Sequence, residues 1–269
     1  MTRVLGLGVV TALGDDPAEV CRLVGSGASA LRATEPLSGL PDPRAALVAG
    51  PDLTGWLTRR KDARLLARAA RLALPAAGRA LRALPPGVGE ETAVFVAVGR
   101  EPPDDPDAEP SLLAMERDGR LDRERLGGRG RELYPPLLPL KTLPNMVLAH
   151  VSIQHGLRGE NGTFAGDGPA GAQALRAARL AVQEGRAPYA LAGAAFSGVD
   201  LASARDRWRL GMTAPPGEAA VFVLVGPGDA DVEPPPFGGE QARAWEAALG
   251  DCGPVSGLWH LLFGATVGG

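Results

Sequence analysis

The segment with the clearest chemical signature lies past the middle of the 269-residue chain, at NGTFAGDGPAGAQALRAARLAVQE, residues 161–184. Its residue types predict a short strand, a tight glycine turn and a helix that begins near Pro169, because proline is favoured in the first turn of a helix. Asp167 takes the N-cap position, where we expect its carboxylate to accept hydrogen bonds from the first backbone N–H groups. Such a turn presents one residue at the positive end of the helix, which suits a nucleophile or an anion.

The glycine spacing of this turn allows a nucleotide-binding hypothesis. Gly166, Gly168 and Gly171 follow the pattern G-x-G-x-x-G between a strand and a helix, which is the dinucleotide fingerprint. However, the next predicted strand, residues 189–193, does not end in the acidic residue that would bind a ribose. The sequence therefore favours another use of the turn, and we expect no nucleotide or other cofactor.

The wider segment over residues 145–197 resembles the nucleophile region of β-ketoacyl synthases. In that family an Asn-Met helix, a GLxGxN turn and a strand lead to Thr-Ala-Cys-x-Ser-Gly at the start of the central helix, and D-x-x-LAGG closes the unit. The matching stretches of this chain are NM at 145–146, GLRGEN at 156–161, Thr163, Gly171 and LAG at 191–193. Gly168 falls on the position of the family's catalytic cysteine, so the resemblance implies that the nucleophile is missing.

Two further stretches are similar to the same family, in the same order along the chain. GLGVVTALGDDPAEVCRLVGSGASAL, residues 6–31, resembles the opening of a ketosynthase, and GEAA at 217–220 resembles its GEGAAVLVL strand. The resemblance implies a thiolase-like α/β fold, in which a mixed sheet carries helices on both faces. We expect a single domain over 1–269, with an exposed excursion at 101–130. A short C-terminal remnant at 227–269 would replace the second half of the thiolase-type duplication.

Few other residues could do the chemistry of a condensing enzyme, in which polar residues, usually histidines, assist the cysteine. The chain has three histidines, and His260, in GLWHLLFGA, is similar to the second family histidine except that the frame slips by one residue. The segment that would carry the first family histidine is absent. No metal-ligand cluster or Ser-His-Asp arrangement replaces it, so we expect no metal site. Asp167 and His260 are therefore the candidate catalytic groups.

A basic cluster precedes a helix predicted over residues 62–84, whose arginines we expect on a solvated face and whose weak point we expect at Pro75. Arg59, Arg60 and Lys61 form this cluster. In ketosynthases, basic residues at this place dock the acidic acyl carrier protein. The resemblance therefore implies acyl carrier protein as a partner.

The resemblance also implies a twofold dimer, because in thiolase-type folds the strand before the nucleophile turn pairs antiparallel with its copy. The residues of that strand here are Asn161, Gly162, Thr163, Phe164 and Ala165. It has no Lys or Pro to blunt an exposed edge. The helix predicted over residues 143–154 is rich in apolar residues, which suits an interface. We expect the partner to be an active ketosynthase subunit or a second copy of this chain.

Composition limits the other partners and the location. A net charge of −3 gives no case for nucleic acid. A membrane span needs roughly 18 or more apolar residues, and the sequence has no such run. Two cysteines and the lack of a signal-peptide pattern at the N-terminus predict a cytoplasmic protein.

Three functions remain open. The first is a non-catalytic accessory subunit, similar to chain-length factors, in type II fatty-acid or polyketide-like biosynthesis. The second is an active acyl-thioester enzyme, either a malonyl-carrier-protein decarboxylase or a thioesterase-like protein, that uses Asp167 or His260. The third is an orphan scaffold without acyl chemistry. Because Gly168 stands at the position of the cysteine, the sequence favours the first.

Overall fold

The computed structural model describes residues 1–99, 108–200, 203–204, 207, 209–228 and 239–262 of the chain. Its strands are β1 (Thr2–Thr11), β2 (Arg32–Ala33), β3 (Arg44–Ala45), β4 (Ala93–Val98), β5 (Glu116–Arg117), β6 (Arg120–Leu121), β7 (Asn161–Ala165), β8 (Ala190–Ser197) and β9 (Glu218–Pro227). Its helices are α1 (Pro17–Gly25), α2 (Arg68–Ala80), α3 (Glu109–Met115), α4 (Arg123–Arg125), α5 (Arg131–Leu133), α6 (Pro139–Thr142), α7 (Met146–His155), α8 (Gly168–Gln183) and α9 (Glu240–Leu249). The 3-10 segments are Glu35–Leu37, Arg60–Leu65, Leu81–Ala83, Gly89–Glu91 and Gly253–Leu258, and Leu126–Gly130 is a π-helical turn.

The central sheet has five strands in the order β1, β9, β8, β4, β7. The pairs β1–β9 and β9–β8 are antiparallel, whereas β8–β4 and β4–β7 are parallel. Almost every residue of β4, β8 and β9 is buried, which requires cover on both faces of the sheet. The structure thus confirms the predicted α/β class with a mixed sheet.

Two hydrophobic clusters lie on opposite faces of this sheet. Successive side chains of a strand point to opposite faces, and β4 follows this rule. Phe95 and Ala97 join the cluster that contains α8, whereas Val94 and Val96 join the cluster that contains α2 and α7. The sheet therefore separates α8 from α2 and α7.

Two glycines of β1 let α2 pack directly on the strand. A Cβ atom on Gly6 would lie less than 3.0 Å from the carbonyl oxygen of Ala80, and one on Gly8 would lie as close to that of Ala76. Only glycine leaves room for this backbone approach. The GLG stretch that resembles the ketosynthase opening therefore has a packing role.

The long helix predicted before β4 is in fact three elements: a 3-10 segment, α2 and a second 3-10 segment. The chain is extended at Leu66, between the 3-10 segment and α2, with φ −93° and ψ 119°. Arg71 donates hydrogen bonds to the carbonyl oxygens of Ala63 and Leu66 at 2.8 and 3.2 Å, so its side chain bridges the interruption. Pro75 lies inside α2. The interruption therefore comes before α2 and not at the proline.

The described part of the predicted excursion, residues 108–130, contains α3, the β5–β6 hairpin, α4 and the π-helical turn, and α5 follows it. The hydroxyl of Ser111 donates a 2.7 Å hydrogen bond to the carbonyl oxygen of Gly130, which joins its two ends. The rest of the excursion, and residues 229–238 and 263–269 of the predicted C-terminal remnant, lie outside the described residues. None of the helices that the structure describes has the length and apolar character to cross a bilayer.

Candidate functional site

The glycine turn lies between β7 and α8, as predicted. Asp167 occupies the N-cap position of α8, but its side chain makes no capping hydrogen bond. The residue two positions later, Pro169, has no N–H to donate, and the N–H of Ala170 instead donates to the backbone carbonyl of Asp167 at 2.8 Å. The prediction that the Asp167 carboxylate caps the helix is therefore wrong.

The C-terminal part of the described chain packs on the start of α8. A Cβ atom on Gly171 would lie less than 3.0 Å from the carbonyl oxygen of Pro254, and one on Gly257 would be as close to the carbonyl oxygen of Gly168. The 3-10 segment that contains Pro254 and Gly257 therefore meets α8 at backbone distance. Its buried residues and those of α9 belong to the hydrophobic cluster of α8.

A cavity of about 370 Å³ lies beside the turn. Asp167 and Gly168 line it from the turn, and Ser256 and Trp259 line it from the C-terminal segment. Gly168 is buried, and Asp167 is half-buried. His260 is not among the described residues that line the cavity. The structure thus brings together Asp167 and Gly168 but leaves His260 outside their cavity.

His260 is half-buried. Burial lowers the pKa of His260 to about 4, against an ordinary value of 6.5. Its Nε2 atom is buried and has no hydrogen-bond partner among the described residues. The imidazole is therefore neutral at neutral pH.

The two cysteines of the chain are buried thiols. Cys252 lines the cavity, but its side chain is fully buried, which raises the pKa of the thiol, and the sulfur contacts the carbonyl oxygen of Leu249 at 3.5 Å. Burial also raises the pKa of Cys21, in α1. Since the thiolate is the nucleophilic form, this burial makes both thiols poor nucleophiles.

A second polar cluster, at the start of β9, escaped prediction. Glu218 is 1% exposed, and its carboxylate accepts hydrogen bonds from the backbone N–H of Val48, the hydroxyl of Ser197 and the guanidinium of Arg68. The pairing with Glu218 raises the pKa of Arg68. Arg68 is therefore not on a solvated face, as was predicted for the arginines of this region. One feature of the sequence could have predicted this cluster: Glu218 is a single acid at the start of an apolar strand. A carboxylate buried there needs a cationic partner.

The basic cluster lies on the surface, at the start of the 3-10 segment that precedes α2. Arg59, Arg60 and Lys61 are all exposed. Arg59 forms an ion pair with Asp62 at 3.2 Å. Arg60 and Lys61 make no ion pair with any residue that the structure describes. Their charges are thus available to an acidic partner.

β7 forms one edge of the central sheet. It pairs with β4 on one side, from Asn161 opposite Val94 to Ala165 opposite Val98, and no described strand lies on its other side. The three residues between these ends are half-buried. Ile153, on α7 just before this strand, is 69% exposed. An open strand edge and an exposed apolar side chain are both typical of interfaces.

Comparison with known proteins agrees with this geometry. The sequence profile of the family described as "Beta-ketoacyl synthase, N-terminal domain" matches residues 3–223. No curated protein sequence matches the chain. Among solved structures, "The ishigamide ketosynthase/chain length factor" is 25% identical to it, with a TM-score of 0.63, over 87% of this chain and 64% of that one.

Two further solved structures share the fold. A beta-ketoacyl synthase from Burkholderia phymatum STM815 is 18% identical, with a TM-score of 0.66, over 92% of this chain and 61% of that one. The complex AntDE:AntF, a type II PKS acyl-carrier protein with its ketosynthase bound to the hexaketide, is 17% identical, with a TM-score of 0.61, over 84% of this chain and 62% of that one. The chain thus spans 61 to 64% of the length of these three structures.

The family match runs from β1 into β9 and so includes all five strands of the central sheet. The predicted resemblance is confirmed: the chain belongs to the β-ketoacyl synthase family and has its thiolase-like fold.

Proposed function

We propose that this protein is a non-catalytic accessory subunit, similar to a chain-length factor, in a type II fatty-acid or polyketide-like pathway. The observation that carries the proposal is Gly168, at the start of α8. When the sequence is matched to the family, Gly168 falls on the position of the catalytic cysteine. A glycine has no side chain to attack a thioester. The Gly168 carbonyl also lies against Gly257 of the C-terminal segment.

The groups around the turn support the same proposal. Cys252 lines the neighbouring cavity as a buried thiol of raised pKa. His260 is neutral and lies outside the cavity lining. Neither group gives the turn a thiolate or the histidine assistance that condensation needs.

The proposed partners are an active ketosynthase subunit, or a second copy of this chain, and an acyl carrier protein. The similar solved structures include a ketosynthase/chain length factor and an acyl-carrier protein in complex with its ketosynthase. On this chain, the open edge of β7 would serve the first partner and the basic cluster Arg59–Lys61 the second. A cytoplasmic location belongs to the same proposal, since both cysteines are free.

Incubation of the purified chain with malonyl carrier protein tests the lack of catalysis. We expect no release of carbon dioxide above that of carrier protein alone, and no acyl-enzyme by intact mass spectrometry. An active ketosynthase in parallel shows that the substrate is competent. Turnover that is lost in Asp167→Asn or His260→Gln would instead establish the acyl-thioester enzyme, because these are the groups on which that alternative depends.

A further inference from the structure

The cavity of about 370 Å³ beside the turn is lined by three parts of the chain. The turn itself forms one wall, Ala242, Arg243 and Glu246 line the cavity from α9, and residues 250–253 line it from the loop that follows α9. Small-molecule sites have volumes of roughly 300–1,000 Å³, so this cavity has room for a small ligand.

The apolar lining of this cavity has a fixed shape. It consists of Met212, Ala242 and Trp259. Trp259 stacks on Trp245, with 4.7 Å between the ring centroids and 16° between the ring planes, and only 4% of Trp259 is exposed. Stacking and burial hold the indole in one position. The cavity therefore offers a preformed apolar surface to an aliphatic group.

Only two of the charged side chains in the lining lack a partner. The charged lining residues are Asp167, Arg243, Glu246 and Asp251. Asp251 pairs with Arg207 and accepts a 2.8 Å hydrogen bond from the N–H of Gly253, and Asp167 also has an interaction partner. The exposed side chains of Arg243 and Glu246 make no hydrogen bond or ion pair with any residue that the structure describes. The cavity thus offers a ligand one cation and one carboxylate.

These two side chains lie close to each other on α9. Residues three positions apart on a helix are neighbours, with roughly 5–6 Å between their Cβ atoms. A ligand with only a carboxylate would pair with Arg243 but would bring a like charge near Glu246, and a ligand with only an ammonium group would do the reverse. An α-amino acid carries both groups on one carbon atom, so it can pair with both residues at once. Charge-assisted hydrogen bonds of this kind are the stronger ones in proteins.

We propose that this cavity binds a free α-amino acid with an aliphatic side chain. The carboxylate of the ligand pairs with Arg243, its ammonium group pairs with Glu246, and its side chain packs on Met212 and Trp259. This site is independent of the proposed accessory function, because neither β7 nor the basic cluster Arg59–Lys61 lines the cavity.

Titration calorimetry of the full chain with L-leucine tests the site. Two analogues serve as comparisons: 4-methylpentanoate lacks only the ammonium group of leucine, and 3-methylbutylamine lacks only its carboxylate. We expect leucine to bind with one site per chain and both analogues to bind several-fold more weakly, because each leaves one of the two protein charges without a partner.

Two charge variants test the assigned contacts. Arg243→Gln and Glu246→Gln should each weaken leucine binding about threefold, since one exposed charge contributes modestly. Arg176→Gln and Glu240→Gln are the matched controls, because they remove the same charges from exposed positions that do not line the cavity. Both controls should bind leucine as the wild type does.

A further variant tests the apolar part of the site. Ala242 lines the cavity and is half-buried, so Ala242→Phe places a ring in the space of the ligand. We expect leucine binding to be lost while far-ultraviolet circular dichroism stays unchanged. Should Ala242→Phe fail to fold, the comparison of the charge variants with their controls decides. Absence of leucine binding, equal binding of either analogue, or charge variants that bind leucine as their controls do would overturn the proposal.

Discussion

Arg68 donates two 2.8 Å hydrogen bonds to the carboxylate of Glu218, a residue 150 positions later in the sequence. The pair joins the start of α2 to the start of β9. Ser197 of β8 and the backbone of Val48 bind the same carboxylate. The carboxylate of Glu218 thus joins four segments of the chain.

The first prediction concerns the stability that depends on this pair. Arg68→Met should lower the free energy of unfolding by about 3 kcal/mol, because it leaves the buried Glu218 carboxylate without its counter-charge. Arg64→Met, at an exposed position nearby, should change it by less than about 0.5 kcal/mol. Urea denaturation measures both. The double variant Arg68→Met/Glu218→Gln should recover part of the loss, and equal stability of Arg68→Met and Arg64→Met would contradict the assignment.

The second prediction concerns the contact between α8 and the C-terminal segment. Gly171→Ala should lower the free energy of unfolding by about 1–3 kcal/mol, since the new Cβ atom meets the carbonyl of Pro254. Gly25→Ala is the matched control, because no atom lies within 4 Å of a Cβ atom there. It should be neutral or slightly stabilising, as alanine favours a helix. If thermal denaturation found the two variants alike, this close packing would be refuted.

The third prediction concerns the pH dependence of stability. The pKa of His260 is lowered from 6.5 to about 4 by burial, so between these values the unfolded chain binds a proton that the folded chain does not. Stability is therefore lost as pH falls through this window. Burial lowers the pKa of His150 and of His155 too, so both act in the same direction.

His260→Gln separates the contribution of this residue. Between pH 6.5 and 4.5, we expect the variant to lose about 1–2 kcal/mol less of its free energy of unfolding than the wild type does. This is less than the full pKa shift implies, because the ring is only partly buried. Urea denaturation at a series of pH values gives the two profiles. Parallel profiles for the variant and the wild type would show that His260 does not titrate as described.

The fourth prediction concerns carrier-protein docking. Replacement of Arg59, Arg60 and Lys61 by Glu should abolish binding of acyl carrier protein, and wild-type binding should weaken as salt rises. Exposed charges are screened over about 8 Å at physiological ionic strength, which is why salt competes. The matched control reverses the charge of three exposed arginines elsewhere in the chain by the same replacement with Glu: Arg123, Arg129 and Arg131. Unchanged binding by the first triple variant would dismiss the docking site.

Local sequence was sufficient for the strands and the turn. The apolar runs at β4, β8 and β9 predict strands buried on both faces, because a strand with no polar side faces no solvent. Pro169 and the glycines predict the turn, since few residues fit its backbone. The family resemblance added the layered fold.

Contacts between distant segments were not predictable in the same way. The Arg68–Glu218 pair leaves no local signature, because an arginine on an alanine-rich helix equally suits a solvated surface. The interruption at Leu66 is bridged by the side chain of Arg71, which donates to the carbonyl oxygens of Ala63 and Leu66. The cover over Gly168 depends on glycines far apart in sequence, Gly171 and Gly257, whose fit appears only when α8 meets the C-terminal segment.

Pairing through β7 is the central claim of the proposed function. An accessory subunit would use this edge to bind a ketosynthase, and an isolated chain should use it to bind a second copy. Phe164 lies half-buried in the middle of the strand, so Phe164→Lys places a charge within the interface. Leu210→Lys is the matched control, since Leu210 is a 72% exposed apolar residue outside β7 and α7.

The most direct test is multi-angle light scattering of the purified chain at micromolar concentration. We predict a dimer for the wild type and for Leu210→Lys, with well above about 1,200 Å² of total buried surface, as a stable interface requires. Phe164→Lys should give monomer or aggregate. A well-behaved wild-type monomer, with the backbone N–H groups of β7 exchanging freely with solvent, would contradict the account.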